Sequence, residues 1–224
     1  MRIVHQKWQV ALILSVALNA QVADKANSGY KTADGRERVA KNLTSPDRDA
    51  RQKPEELVRQ MNLQPGMAVA DVGTGVGYML PFLSRAVGPS GKVIAEDIFD
   101  DFLGKARAKA DKEQIANVSF IKGSDRDPRL PENSVDVALT LDSYHHWDYP
   151  AEMLGVIRRS LRAGGRLVVV DFYRRANAMP NGNALEHIRA DEAEVIKEIE
   201  ASGLKLLAKR EHIPGSQYML TFEK

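Results

Sequence analysis

Three stretches of this chain carry residue types at spacings that can do chemistry. The first is Asp71-Val72-Gly73-Thr74-Gly75-Val76-Gly77, an acid two residues before three glycines at alternate positions. Glycine permits positive φ and lets a ligand approach the backbone with no Cβ in the way. Loops that hold phosphate read G-x-G-x-x-G or G-x-x-x-x-G-K-S/T and use free amides at a helix N-terminus. Here the third glycine comes one residue early, no Lys-Ser or Lys-Thr follows, and Asp71 would repel a pyrophosphate while suiting a cationic amino-acid group. The second stretch is Glu96-Asp97, with Asp97 20 residues beyond Gly77, the distance at which a strand-end carboxylate can accept both hydroxyls of a ribose. The third is Ser143-Tyr144-His145-His146-Trp147. Imidazole is the side chain most readily used for proton transfer near neutral pH; the competing reading is a pair of histidines packed and hydrogen-bonded in a wall.

The flanking sequence supplies the elements that must position these groups. Met67–Val72 is a short apolar run after the turn Gln64-Pro65-Gly66, as in a buried parallel strand, and Tyr78, Met79, Leu80, Phe82 and Leu83 follow the glycines at helical spacing with Pro81 in the first turn. Strand-like runs recur at Gly91–Asp97, Asn117–Gly123, Val137–Asp142 and Arg166–Tyr173, and a last pair at Leu204–Lys209 and Gln217–Phe222. Helical patterns separate them at Phe102–Ile115, Met153–Arg162 and Glu192–Ala201, the last stopped by Gly203. This alternation reads as α/β.

The segment Val69–Gly77 resembles motif I of the class I S-adenosylmethionine-dependent methyltransferases, whose ligand carries an ammonium and a sulfonium and no phosphate. Leu161-x-x-Gly164-Gly165-x-Leu167-x-x-x-Asp171 and the turn Leu130–Asp136 ahead of the fourth strand extend the resemblance over roughly residues 53–224. The narrower likeness is to bacterial predicted methyltransferases with an N-terminal signal and a Tyr-His-His segment. The resemblance implies a Rossmann-like, doubly wound, mostly parallel seven-stranded sheet with helices on both faces and the last strand antiparallel. It implies S-adenosylmethionine as cofactor, bound by Asp71, Gly73, Thr74, Gly75 and Gly77, and it favours Asp97 over Glu96 as the ribose acid. The family commonly has an acid directly after the third-strand glycine to meet the adenine; this chain has Ser124 there, with Asp125 next, so both join the candidate cofactor residues, as does Asp142 at the end of strand four.

Adjacent side chains of an extended segment take opposite faces, so only one of His145 and His146 is expected to face the crevice. His145 follows the strand end more closely and is the expected base, with Tyr144 or Trp147 walling the pocket and His146 its alternative.

The chain has 224 residues and a net charge of +2, enough for one full core and without the electrostatic footprint of a nucleic-acid binder. Residues 1–23 lie outside that core: Arg2 and Lys7 precede an apolar run centred on Val10–Leu18, with small residues at Ala20 and Ala23. That is the layout of a secretory signal, or, uncleaved, of an anchor that would place the protein at a membrane. An exported protein is expected, beginning close to Asp24. Residues 24–52 are polar and are expected to form a linker or a helical lid over the cofactor, ahead of the domain at 53–224.

With no cysteine, disulfides, thiolate metal sites, a cysteine nucleophile and arsenite-type methyl transfer are excluded. No metal site is expected, because a magnesium site of the catechol type needs clustered acids and only Asp142 and Asp171 come near. No Pro-Pro-Tyr segment of the amide- and base-methylating enzymes follows strand four. A small-molecule acceptor remains. Two other functions stay open: an exported, non-catalytic binding module on the same fold, and an NAD(P)-dependent oxidoreductase, which the short glycine spacing opposes.

Overall fold

A computed structural model describes residues 22–180 and 182–224; the expected signal falls, for residues 1–21, outside the described part. Short helices α1 (Asp24–Asn27), α2 (Ala33–Leu43) and α3 (Arg48–Gln52) lead into α4 (Pro54–Met61). Strands and helices then alternate as β1 (Ala68–Val72), α5 (Leu80–Val87), β2 (Lys92–Asp97), α6 (Asp100–Lys112), β3 (Val118–Lys122), β4 (Val135–Leu141), α7 (Pro150–Ser160) and β5 (Leu161–Phe172). The chain ends with α8 (Ala184–His187), α9 (Glu192–Ala201), β6 (Lys205–Ile213) and β7 (Gln217–Glu223).

The seven strands form one sheet in the order β3-β2-β1-β4-β5-β7-β6. The pairs from β3 to β5 are parallel, and β7 runs antiparallel to both β5 and β6. This is the doubly wound arrangement the sequence leads one to expect, with the final strand reversed. Period-two alternation sends each strand's residues to two cores. Val69, Val93, Val137, Leu139, Val168 and Val170 meet Leu57, Met61, Leu80, Leu83 and Ala106 of α4, α5 and α6 on one face. Ala70, Val72, Ile94, Ala138, Leu167 and Val169 meet Leu154, Ile157, Val195 and Ile199 of α7 and α9 on the other. Because both faces are covered, β1 is buried at every position, which is why its sequence reads as a continuous apolar run broken only by Asp71.

Strand order reverses between β1, which continues outward to β2, and β4, which continues to β5. The crevice that such a reversal opens at the carboxyl ends of the strands is the usual ligand position in open α/β sheets. Residues 24–52 lie over it as helices α1 to α3. One departure from the sequence reading matters there. Beyond β4 the chain does not stay extended: Asp142 adopts φ 53° and Tyr144–His146 form a single 3-10 turn.

Candidate functional site

At the end of β1 the backbone turns through positive φ at Gly73 (78°), Gly75 (56°) and Gly77 (81°). The first two glycines border the crevice. A Cβ on Gly73 would collide with the Ser143 side chain, and one on Gly75 would sit 3.2 Å from Leu43 Cδ1 of α2. Gly77 serves packing instead: a Cβ there would come within 3.1 Å of Ala106 in α6, and it does not line the cavity. The loop amides are already engaged within the protein. Gly73 and Thr74 N–H donate to the Glu96 carbonyl at 3.0 and 2.8 Å, Gly75 N–H to Asp97 Oδ2 at 2.9 Å, and Gly77 N–H to the Thr74 carbonyl at 3.0 Å. None of the four is left to hold a phosphate, in contrast to a dinucleotide loop.

The cavity beside this loop has a volume of about 350 Å³, in the range of small-ligand sites. Its inner wall is acidic. Asp97 accepts from Gly75 through one oxygen and from Phe99 N–H through the other at 2.9 Å, and burial still pushes it up to about 6. Glu96 borders the same cavity with one carboxylate oxygen lacking a partner, and burial with neighbouring Asp97 raises its pKa well above the carboxylate range. Asp142 is held by the side-chain amides of Gln52 and Gln217 and rises to about 7 through burial, with Asp171 adding to the shift. Asp71 lies behind the loop, accepting from the Thr74 hydroxyl at 2.7 Å, and burial lifts it to about 6. The cation facing Asp71 and Asp142 is the buried Arg48 at the start of α3, its guanidinium 3.8 Å over the Tyr78 ring with Nη1 donating to the Leu43 carbonyl at 2.9 Å.

Farther out, Ile98 and Phe99 continue from β2 along the rim; Ile98 is 38% exposed, one of few large apolar side chains left open. Phe99 stacks on Tyr30 with centroids 5.9 Å apart, so the lid and the rim form one aromatic shelf. Ser124 and Asp125 close that end, Ser124 Oγ accepting from Asp127 N–H at 3.1 Å in a turn after β3.

His146, Trp147 and Met153 form another part of the wall. His146 Nδ1 donates to Asn27 Oδ1 at 2.9 Å and its Nε2 lies 3.4 Å from the Tyr30 hydroxyl, so the lid holds this ring. The sequence reading places His145 at the crevice; the structure places His146 there. His145 is 4% exposed and points to the sheet, with Nδ1 donating to Asp171 Oδ1 at 2.7 Å and its backbone N–H to Oδ2 at 3.0 Å. Burial and the nearby His187 keep its pKa well below the usual imidazole value. Tyr144 is also turned away, its hydroxyl donating to Glu198 Oε2 at 2.8 Å, and Trp147 is the member of that pair on the cavity wall. The cause is the 3-10 turn, which replaces strict alternation by steps of one third of a turn.

The sequence and the fold have counterparts among known proteins. Residues 70–169 match the model described as a methyltransferase domain. That match covers just under half of the chain. A crystal structure of a SAM-dependent methyltransferase from Aquifex aeolicus superposes with a TM-score of 0.77 at 27% identity, over 83% of this chain and 97% of that one. The ubiquinone/menaquinone biosynthesis C-methyltransferase UbiE of Ectopseudomonas mendocina is 30% identical over 118 residues, 52% of this chain and 46% of the relative. An uncharacterized 37.1 kDa protein in a Streptomyces fradiae transposon is 34% identical over 54% of this chain and 34% of its own length. The chain thus spans under half the length of these curated relatives. The cyclase SpnF shares the fold, with a TM-score of 0.65 at 16% identity. These matches support the class I methyltransferase superfamily and agree with S-adenosylmethionine as the cofactor expected from the sequence.

Of the residues singled out from sequence, Gly73, Thr74, Gly75, Asp97, Ser124, Asp125, Asp142 and His146 come together on the cavity, while Asp71 and Gly77 shape the loop from behind. Asn27, Tyr30, Leu43 and Arg48 also line it and were not legible, because the polar lid segment has no motif and its residues reach the site only by folding over it. Ile98 and Phe99 had a signal: two apolar residues directly after strand-end acids, where a solvated turn would be polar.

Proposed function

We propose that this protein transfers the methyl group of S-adenosylmethionine to a small-molecule acceptor. The observation that carries the reading is an acid-walled cavity beside a glycine loop whose amides are already bonded within the protein. Such a site suits a cationic ligand and offers a pyrophosphate none of those four loop amides. Asp97 would take the ribose hydroxyls with its remaining lone pairs, the Ile98–Phe99 shelf the adenine face, and Ser124 or Asp125 the adenine edge. The methionine end would lie at Gly73 and Gly75, its ammonium toward the acids and its carboxylate toward Arg48, which keeps guanidinium donors beyond the one given to Leu43.

Bound there, the cofactor supplies a methyl group on a sulfonium, transferred in line to an acceptor atom while the sulfur keeps the electron pair of the broken bond. The chain's part is alignment and exclusion of water, which can supply much of the rate. Where the acceptor carries a proton, His146 would take it. Its Nδ1 is fixed as a donor to Asn27, which leaves the Nε2 lone pair on the Tyr30 side of the cavity as acceptor. Tyr30 and the helices α1 to α3 close the cavity over the reactants.

Calorimetric titration of the purified protein tests the reading. Binding of S-adenosylmethionine with no binding of nicotinamide nucleotides is expected. A non-catalytic module would bind the cofactor and give no methylated product with any acceptor.

A further inference from the structure

We infer that His145, His146 and His187 form a site for one divalent first-row transition ion, Zn²⁺ first among them, on the acceptor side of the cavity. His187 comes from α8, a four-residue helix 42 positions beyond His145, and the fold brings it to the histidine pair. One ring nitrogen from each of the three lies within 4.8 Å of the others, and among the described residues this is the one group of three histidines or acids gathered so closely. The ring centroids are 4.1, 5.0 and 5.4 Å apart. Imidazole nitrogens on a tetrahedral Zn²⁺ at about 2.1 Å stand about 3.4 Å from one another, so small ring rotations close the site.

Two further features distinguish this from a chance cluster. Metal-binding histidines are oriented by an acceptor on the other ring nitrogen, often a carboxylate. His145 Nδ1 donates to Asp171 and His146 Nδ1 to Asn27, at 2.7 and 2.9 Å, which leaves Nε2 of both rings unprotonated; the Nε2 of His146 accepts from the Tyr30 hydroxyl at 3.4 Å, a contact that an ion would replace. The 3-10 turn is what lets neighbours in sequence serve one ion, since successive side chains step by about 120° rather than 180°. Three neutral imidazoles leave a fourth position open, as catalytic rather than structural zinc sites do, and one of the three, His146, stands on the cavity wall.

The inference goes beyond methyl transfer, and ion binding does not depend on it. If methyl transfer is the activity, an ion here makes His146 a ligand and lowers the pKa of an acceptor hydroxyl or thiol at the open position, whose proton then leaves to solvent.

The test uses untagged full-length protein freed of metal with a chelator. Titration with Co²⁺ should give the visible bands of a tetrahedral site at one ion per chain, bleached by Zn²⁺. His187→Ala, on a short and partly exposed helix, should weaken Co²⁺ binding by at least a hundredfold, and Asp171→Asn by about ten- to a hundredfold. S-adenosylmethionine titration of the same metal-free samples should be unaffected by His187→Ala, which shows the domain folded. Absence of stoichiometric Co²⁺ binding, or equal binding by the parent and His187→Ala, overturns the inference. Ion binding without cofactor binding supports the ion site and counts against methyl transfer alone.

Discussion

Gly75 N–H donates to Asp97 Oδ2 at 2.9 Å, so one carboxylate fastens the glycine loop to the end of β2 and faces the cavity as well. A second N–H, from Phe99, fixes its other oxygen. A charge-assisted contact of an oriented carboxylate is worth roughly 1.5–3 kcal/mol. Asp97→Ala should therefore weaken S-adenosylmethionine binding about ten- to a hundredfold by calorimetry. Parent-like affinity in that variant, with loss in Glu96→Ala, would transfer the ribose role to Glu96.

At Gly75 the φ of 56° and the Leu43 Cδ1 atom, 3.2 Å from where a Cβ would sit, both favour glycine. Valine there would be strained by about 1–3 kcal/mol and its side chain would occupy ligand volume. Gly75→Val should melt cooperatively at a somewhat lower temperature and show no cofactor heat. Retained affinity would remove the glycine loop from the site.

The buried acids make stability depend on pH in a definite direction. Asp71 and Asp97 rise from 3.8 to about 6 on folding, through burial. The folded state therefore keeps its protons to higher pH than the unfolded chain, and their contribution, fully present below 3.8, is lost as pH rises to about 6. A bound cation offsets that loss. The gain in melting temperature from saturating S-adenosylmethionine should then be larger near pH 7.5 than near pH 5, measured by scanning calorimetry at matched saturation. Equal gains at both would mean that the ligand's positive charge does not offset the ionisation of these carboxylates.

Once an acceptor is found, His146→Ala should lower turnover by roughly 10²–10⁴ with cofactor affinity intact, the size of effect that loss of a proton acceptor has. Unchanged turnover across the range where imidazole titrates would leave alignment as the whole contribution of the chain.

Export is proposed from the charged start and short apolar run of residues 1–23. Mass spectrometry of the native protein should find a mature chain starting near Asp24 in a non-cytoplasmic fraction. An intact Met1 in cytosol would contradict this.

The sheet was legible in the sequence because each buried parallel strand is a continuous apolar run ending in glycine or acid, as Val69–Gly77 and Val93–Asp97 show. The loop side of the site followed for the same reason, since glycine identity records backbone geometry directly. The histidine side was not legible. Whether His145 or His146 faces the cavity depends on Asp142 entering positive φ and on the turn that follows, and two glutamines distant in sequence, Gln52 and Gln217, hold Asp142. The clustering of His187 with the pair depends on tertiary packing that brings α8 beside the turn after β4, which no local pattern encodes.

The central claim is that the acid-walled cavity binds a cationic nucleoside cofactor rather than a dinucleotide. Calorimetric titration of the purified protein with S-adenosylmethionine, and separately with NADH and NADPH, measures this directly. One molecule of S-adenosylmethionine bound per chain, and no heat from either dinucleotide, is the predicted result; binding of NADH or NADPH, or no binding of S-adenosylmethionine, would contradict it.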